Sequence, residues 1–328
     1  MSAWALVLVF AAWQPEFVQS RLFAATTEGA FVTYSFGEHW TRLRPDMRGF
    51  SGELRAFACL GSNVFAGGSD GIFISDDFGE NYRPVASFEA KDVTTLQAAR
   101  LFALEPTLFA GTATGLYRTK NGGVEWEHIG AETIRTAVRA LAWPGPELFV
   151  ATDGGLFVSD DSGDSWDRVG EGLPSVPILS ITLSQLFALD PTIFVGTRGE
   201  GLYRSSDGGA AFERVEHEAL EDESVEALFW WGALLLIGTE QGLLLSNDGA
   251  QTLHEVEMFR GRAVRTINVP SPEGFSQSDV LIGTDAGVFK SSDGAVSFRL
   301  VSEGMGTPRV LELATFPQPP QSSAPPRQ

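Results

Sequence analysis

Seven times along its length the chain repeats one short phrase. A hydroxyl residue is followed two places on by an acid or its substitute, then by glycine or alanine, then by a large apolar residue. The first residues of these boxes are Thr33, Ser75, Thr119, Ser159, Ser205, Ser246 and Ser291, at intervals of 40 to 46 residues. The fullest copy is Ser159-Asp160-Asp161-Ser162-Gly163-Asp164-Ser165-Trp166, and Leu148 to Val158 run just before it. Together they spell strand, tight Gly turn, strand, polar turn, aromatic. A fixed period of this size belongs to repeat arrays whose units have four strands, WD40-like repeats among them. Seven boxes predict an all-β, seven-bladed β-propeller of four-stranded antiparallel blades. A β-sandwich would need no sevenfold repetition.

The repeats run over about 4–43, 53–85, 92–129, 137–170, 177–215, 224–257 and 263–301. Each supplies an apolar strand A (Val138 to Trp143), a strand B of the Leu108-Phe109-Ala110-Gly111-Thr112 type, a strand C of the Gly115-Leu116-Tyr117-Arg118 type, and a short strand D after the box. Runs this short with turn residues between them read as meandering antiparallel strands. A second period is superimposed: Thr33, Thr119, Ser205 and Ser291 lie 86 residues apart. Odd repeats carry a longer A–B connection that holds Phe17, Phe102, Phe187 or Phe275.

The chain ends compete for one place. Leu6 to Phe10 fit strand A of the first blade, and 309–316 read as a further strand A that could close the same blade. Closing a ring with strands from both ends removes exposed edges. The first thirteen residues also have a signal peptide's apolar run, without its basic start or an A-x-A site; the strand reading is preferred. Residues 317–328 are Pro-rich with nothing to build a core and are expected to be disordered.

The net charge of −19 argues against a nucleic-acid partner, since an acidic body repels phosphate backbones. A cation or a basic protein surface suits it better. Cys59 is the only cysteine, so an intramolecular disulfide and a Cys-based zinc site are excluded. No stretch is long and apolar enough for a membrane span, the N-terminal run being too short.

The box resembles the Asp-box, or BNR repeat, of sialidases, the sortilin luminal domain, xyloglucan-degrading hydrolases and the Ycf48-like photosystem II assembly factors. The resemblance covers nearly the whole chain. It rests on Asp77, Asp161, Asp207, Asp248 and Asp293, with Asn121 at the acid position of blade three and Ser35 in blade one. An Asp in such a hairpin accepts hydrogen bonds from the N–H groups of its own turn, so these residues are expected to be structural. The boxes lack the loop length and terminal Glu of a calcium loop, and no metal or cofactor is expected.

The enzymes of the resemblance supply an alternative function. Sialidases carry a Phe/Tyr-Arg-Ile-Pro motif, which this chain lacks, and xyloglucan hydrolases place two Asp residues in a cleft between two propellers. His39, His128, His217 and His254 show no metal-ligand spacing. The leading expectation is a non-catalytic, monomeric interaction protein with a protein partner, carbohydrate being a further possibility. The alternative is a glycoside hydrolase-like enzyme. The resemblance implies an extracytoplasmic setting.

Two candidate surfaces follow. The B–C turns carry Glu28, Asp70, Asp153, Glu200, Glu240 and Asp285, with Thr114 in blade three, and closure would set these acids around one mouth of the central channel. On the same face, Arg42, Arg44, Arg48, Arg260, Arg262 and Arg309 flank the junction of the last and first blades and would form a basic sector.

Overall fold

The computed structural model describes residues 21–35, 37–43, 52–60, 63–98, 106–269, 279–306 and 308–316. They form seven four-stranded antiparallel sheets arranged as a seven-bladed propeller, with two single-turn 3-10 helices at Glu218–Leu220 and Glu257–Phe259. In every blade strand A is innermost. These strands are Leu54–Leu60, Val93–Ala98, Val138–Ala142, Ile178–Leu183, Val225–Trp231 and Val264–Asn268 in blades two to seven. In blade one the inner strand is Val310–Phe316, paired antiparallel with Arg21–Thr26 so that Leu22 faces Thr315 and Ala24 faces Leu313. The place that the sequence offered to both chain ends is therefore held by the C-terminal segment. Leu6 to Phe10 and residues 317–328 lie outside the described residues, as do Phe17, Phe102 and Phe275.

Strand B explains why the Phe-x-Gly-Thr phrase recurs. It is the second strand of each blade and is packed on both faces, so all five residues of Leu108–Thr112 are buried, as are those of Leu148–Thr152 and Ile193–Thr197. Its glycine answers to the next blade. A Cβ added at Gly111 would lie 2.6 Å from Val138 Cγ1, and one at Gly238 would lie 2.6 Å from Val264 Cγ1. The inner ends of neighbouring blades converge, so at these two junctions the valine opening one strand A leaves no room for a side chain on the strand B before it, whereas blade four carries Ala151 at the same place. Its phenylalanine answers to the next blade's box: Cβ positions built at Gly79 and Gly123 fall 2.8 and 2.7 Å from the rings of Phe23 and Phe65.

One charged residue also ties blades together. Arg118, 3% exposed, donates from Nε to Glu127 (2.6 Å) in its own blade. It also donates to the Ser162 carbonyl (2.5 Å) and to Asp164 (2.6 Å) in the box of blade four. Arg118→Ala is expected to cost about 1–3 kcal/mol, because the Ser162 carbonyl loses its charged donor while the two exposed carboxylates regain water. Urea denaturation of the variant measures this.

Candidate binding face

Antiparallel connectivity puts the B–C turns and D–A loops on one face and the A–B loops and box hairpins on the other. On the first face every inner strand breaks register after its first residue. A bulge leaves one residue unpaired and re-aims its side chain. The seven bulged residues are Arg55, Thr94, Arg139, Leu179, Glu226, Arg265 and Leu311, all half-buried.

Two of these side chains, Arg139 and Arg265, meet turn acids. Arg139 donates to both oxygens of Asp153 at 2.7 Å, and this pairing holds the Asp153 carboxyl below its usual range. Arg265 donates to Asp285 (2.8 Å) and lies 3.9 Å from Glu226, while Arg309 reaches the same Asp285 oxygen at 3.2 Å. Arg55 bridges Glu53 (3.0 Å) and Asp92 (3.5 Å). Asp70 accepts the Gly52 N–H at 2.9 Å, and the Glu28 carbonyl accepts from Arg42. The mouth is therefore laced with both charges. The bulge arginines were missed from the sequence, although Leu54-Arg55-Ala56, Val138-Arg139-Ala140 and Val264-Arg265-Thr266 repeat one pattern.

The basic sector is engaged locally. Arg260 pairs with Glu255 (2.8 Å) and Glu257 (2.9 Å), and Arg262 lies over the Phe289 ring at 5.6 Å. Arg309 and Arg42 have the partners just named. Arg44 and Arg48 lie outside the described residues.

On blades five and six no salt bridge reaches the turn acids Glu200 and Glu240 among the described residues. The bulges there hold Leu179 and Glu226, and Thr94 and Leu311 likewise leave blades three and one without a bulge arginine. Arg198 in the blade-five turn acts on Asp153 of blade four. The loop from Glu216 to Glu223 adds further acids, and a depression of about 340 Å³ opens between Glu218, Glu221, Glu223, Gln241, Glu255 and Arg260. One Glu223 oxygen is enclosed without a hydrogen-bond partner. Burial first, and then repulsion from Glu240, raises the Glu223 carboxyl above its ordinary value.

The box carboxylates are committed to their own hairpins. The Ser159 hydroxyl donates to Asp161 (2.7 Å) and accepts the Gly163 N–H (2.7 Å), and Asp161 in turn accepts from the Asp164 and Ser165 N–H groups at 2.9 and 2.8 Å. Asp77, Asp207, Asp248 and Asp293 repeat the hydroxyl contact, and Asn121 takes the Thr119 hydroxyl at 2.9 Å. The hydroxyls of Thr252 and Ser297, followed by backbone N–H groups, hold Asp248 and Asp293 down at about 2. Elsewhere, His128 stacks on Tyr117 (centroids 4.6 Å apart), and His217 Nδ1 accepts the Ala219 N–H.

The fold is shared with solved propellers. The extracellular domain of the one-component system BT4673 from B. thetaiotaomicron superposes with a TM-score of 0.66 at 17% identity, over 82% of this chain and 36% of that one. The Niastella koreensis GH74 enzyme gives 0.68 at 14%, over 88% and 54%. YCF48 from Cyanidioschyzon merolae gives 0.60 at 17%, over 85% and 97%. The chain thus spans about a third to a half of the length of the first two. No protein-family model and no curated protein sequence matches it. Among the described residues no helix is long and apolar enough to cross a membrane.

Proposed function

We propose that the chain is a non-catalytic binding protein that receives a Lys- or Arg-rich segment of a partner protein at the channel mouth, over blades five and six. The observation that carries this reading is the uneven neutralisation of the rim. Asp153 and Asp285 have arginine partners, whereas Glu200 and Glu240 have none, beside a depression where Arg260 answers Glu255 but no salt bridge reaches Glu218, Glu221 or Glu223 among the described residues. Uncompensated charge of one sign around a concavity concentrates potential and draws in the opposite charge. Solved propellers of this shape include YCF48 bound to D1 peptide, which supports a peptide-binding role for the architecture.

Calorimetry with a lysine-rich decapeptide tests it. The wild type is expected to bind with an affinity that falls as salt rises. Glu221→Gln combined with Glu240→Gln should weaken binding about tenfold, a loss of roughly 1.4 kcal/mol, while Asp153→Asn changes it little. Equal binding by both variants, or none by the wild type, would leave the acids as turn and solubility residues. The glycosidase alternative draws on the likeness to the GH74 enzyme. Aryl-glycoside turnover abolished by one carboxylate substitution would establish it.

A further inference from the structure

On the opposite face, a groove of about 800 Å³ lies between blades four and five. Pro144, Pro146, Phe149 and Phe187 line it, together with Leu186 and Leu189. The loop carrying these leucines is firmly placed. The Phe187 ring meets Phe149 edge-on at 5.6 Å, Ser184 N–H donates to the Thr192 carbonyl (3.0 Å), and Gly208 N–H of the blade-five box donates to the Pro191 carbonyl (3.0 Å). Within the turn, the Leu189 and Asp190 N–H groups both donate to the Leu186 carbonyl, at 2.7 and 2.8 Å. An anchored turn nevertheless leaves Leu186 66% and Leu189 84% exposed. Apolar side chains grouped on such a turn beside a cavity mark an interaction site better than scattered ones do.

Glu147, Asp160 and Asp167 also line the groove, and no salt bridge reaches any of them among the described residues. The nearby box acid Asp164, by contrast, is held by Arg118 and Lys120. An apolar floor with an unneutralised acidic rim suits one kind of occupant.

We propose that this groove docks an extended segment of a partner protein carrying one or two bulky apolar side chains flanked by Lys or Arg. The apolar anchors bury Leu186 and Leu189, and the cations pair with Asp160, Asp167 and Glu147. An anionic membrane surface would be repelled by the same carboxylates. A second copy of the chain would bring its own −19 charge against them. The site is separate from the channel mouth and does not depend on the reading given for it.

Random dodecapeptides displayed on phage and selected on the immobilised wild-type chain provide the test, followed by calorimetry of the enriched peptide. Sequences with Leu, Phe or Trp between basic residues are expected. Leu186→Ser combined with Leu189→Ser should weaken the selected peptide at least about tenfold, and Asp160→Asn with Asp167→Asn about threefold with a shallower salt dependence. Glu240→Gln at the mouth should leave it unchanged. Circular dichroism should show both double variants folded, since all four side chains are exposed. The proposal is overturned if no selected peptide loses affinity in the leucine variant, or if the selected sequences are neutral or acidic. Leucine-dependent dimerisation in sedimentation, or leucine-dependent pelleting with phosphatidylserine vesicles, would replace it by self-association or membrane docking.

Discussion

Raising the pH from about 4.5 to about 8 is expected to weaken the folded chain, and Glu312→Gln is expected to flatten that slope. Glu312 sits half-buried on the inner strand of blade one, at the junction that closes the ring. Its carboxyl accepts the Phe57 N–H of blade two at 2.8 Å and has no cation partner among the described residues. One blade earlier in the ring, Thr266 does the same work with a hydroxyl, accepting the Leu313 N–H at 3.3 Å. Burial pushes the Glu312 carboxyl up to about 8, from an ordinary value of 4.5. The sign follows from linkage. Below 4.5 both the folded and unfolded chains hold the proton, and nothing is lost. Between 4.5 and 8 the unfolded chain releases the proton while the folded chain keeps it, so stability falls by about 1.4 kcal/mol per pH unit. The whole window amounts to at most roughly 5 kcal/mol. The box acids act elsewhere, because their depressed values place their contribution above the ordinary 3.8 and remove it only as the pH falls toward 2. General repulsion in a chain of net charge −19 also grows with pH. Exposed Glu200→Gln therefore serves as the control for loss of one charge. Urea midpoints measured across this window should converge for wild type and Glu312→Gln near pH 4.5 and separate steadily above it. Parallel curves would show that Glu312 ionises in the folded chain as it does in water.

The repeat was legible because the physics behind it is local. A hydroxyl, an acid and a small residue close a hairpin by themselves, so Ser159, Asp161 and Gly163 announce a box wherever they stand. The acids of the B–C turns were legible for the same reason. Their partners were not, because Arg139 meets Asp153 only after strand A pairs with strand B and a bulge turns the arginine toward the turn. The inner strand of blade one was equally hidden. Leu6 to Phe10 and Val310 to Phe316 both read as apolar inner strands, the second interrupted by Glu312 and Thr315, and pattern alone does not say which of them pairs with Arg21–Thr26. Glu312 stands where the other inner strands carry Ala56, Thr95, Ala140, Ser180, Ala227 or Thr266. The alignment of strands reveals it as the exception, and the blade-to-blade contact explains why an acceptor is tolerated there.

Phe65→Ala is expected to cost about 3–5 kcal/mol, the usual loss when a fully buried ring is removed from a packed core. The more telling experiment joins it to the box of the next blade. Gly123 has a φ of +89°, and a Cβ placed on it would lie 2.7 and 3.0 Å from two carbons of the Phe65 ring. Gly123→Ala alone therefore combines an unfavourable backbone region with overpacking, and about 1–3 kcal/mol is expected. In the Phe65→Ala background the ring that met the new methyl group is gone. Only the backbone penalty at Gly123 then remains, and the methyl group fills part of the cavity. The double variant should consequently be more stable than the two single losses predict together, by about 0.5–3 kcal/mol, the coupling found between residues in contact. A parallel cycle pairing Phe65→Ala with Gly163→Ala, two blades on from Phe65, should show simple additivity. If the Phe65 and Gly123 losses were also additive, the box glycine would be retained for its own hairpin's backbone alone. Coupling would instead mean that the box of blade three is shaped by the phenylalanine of the blade before it, which is how a local turn motif comes to set the spacing between blades.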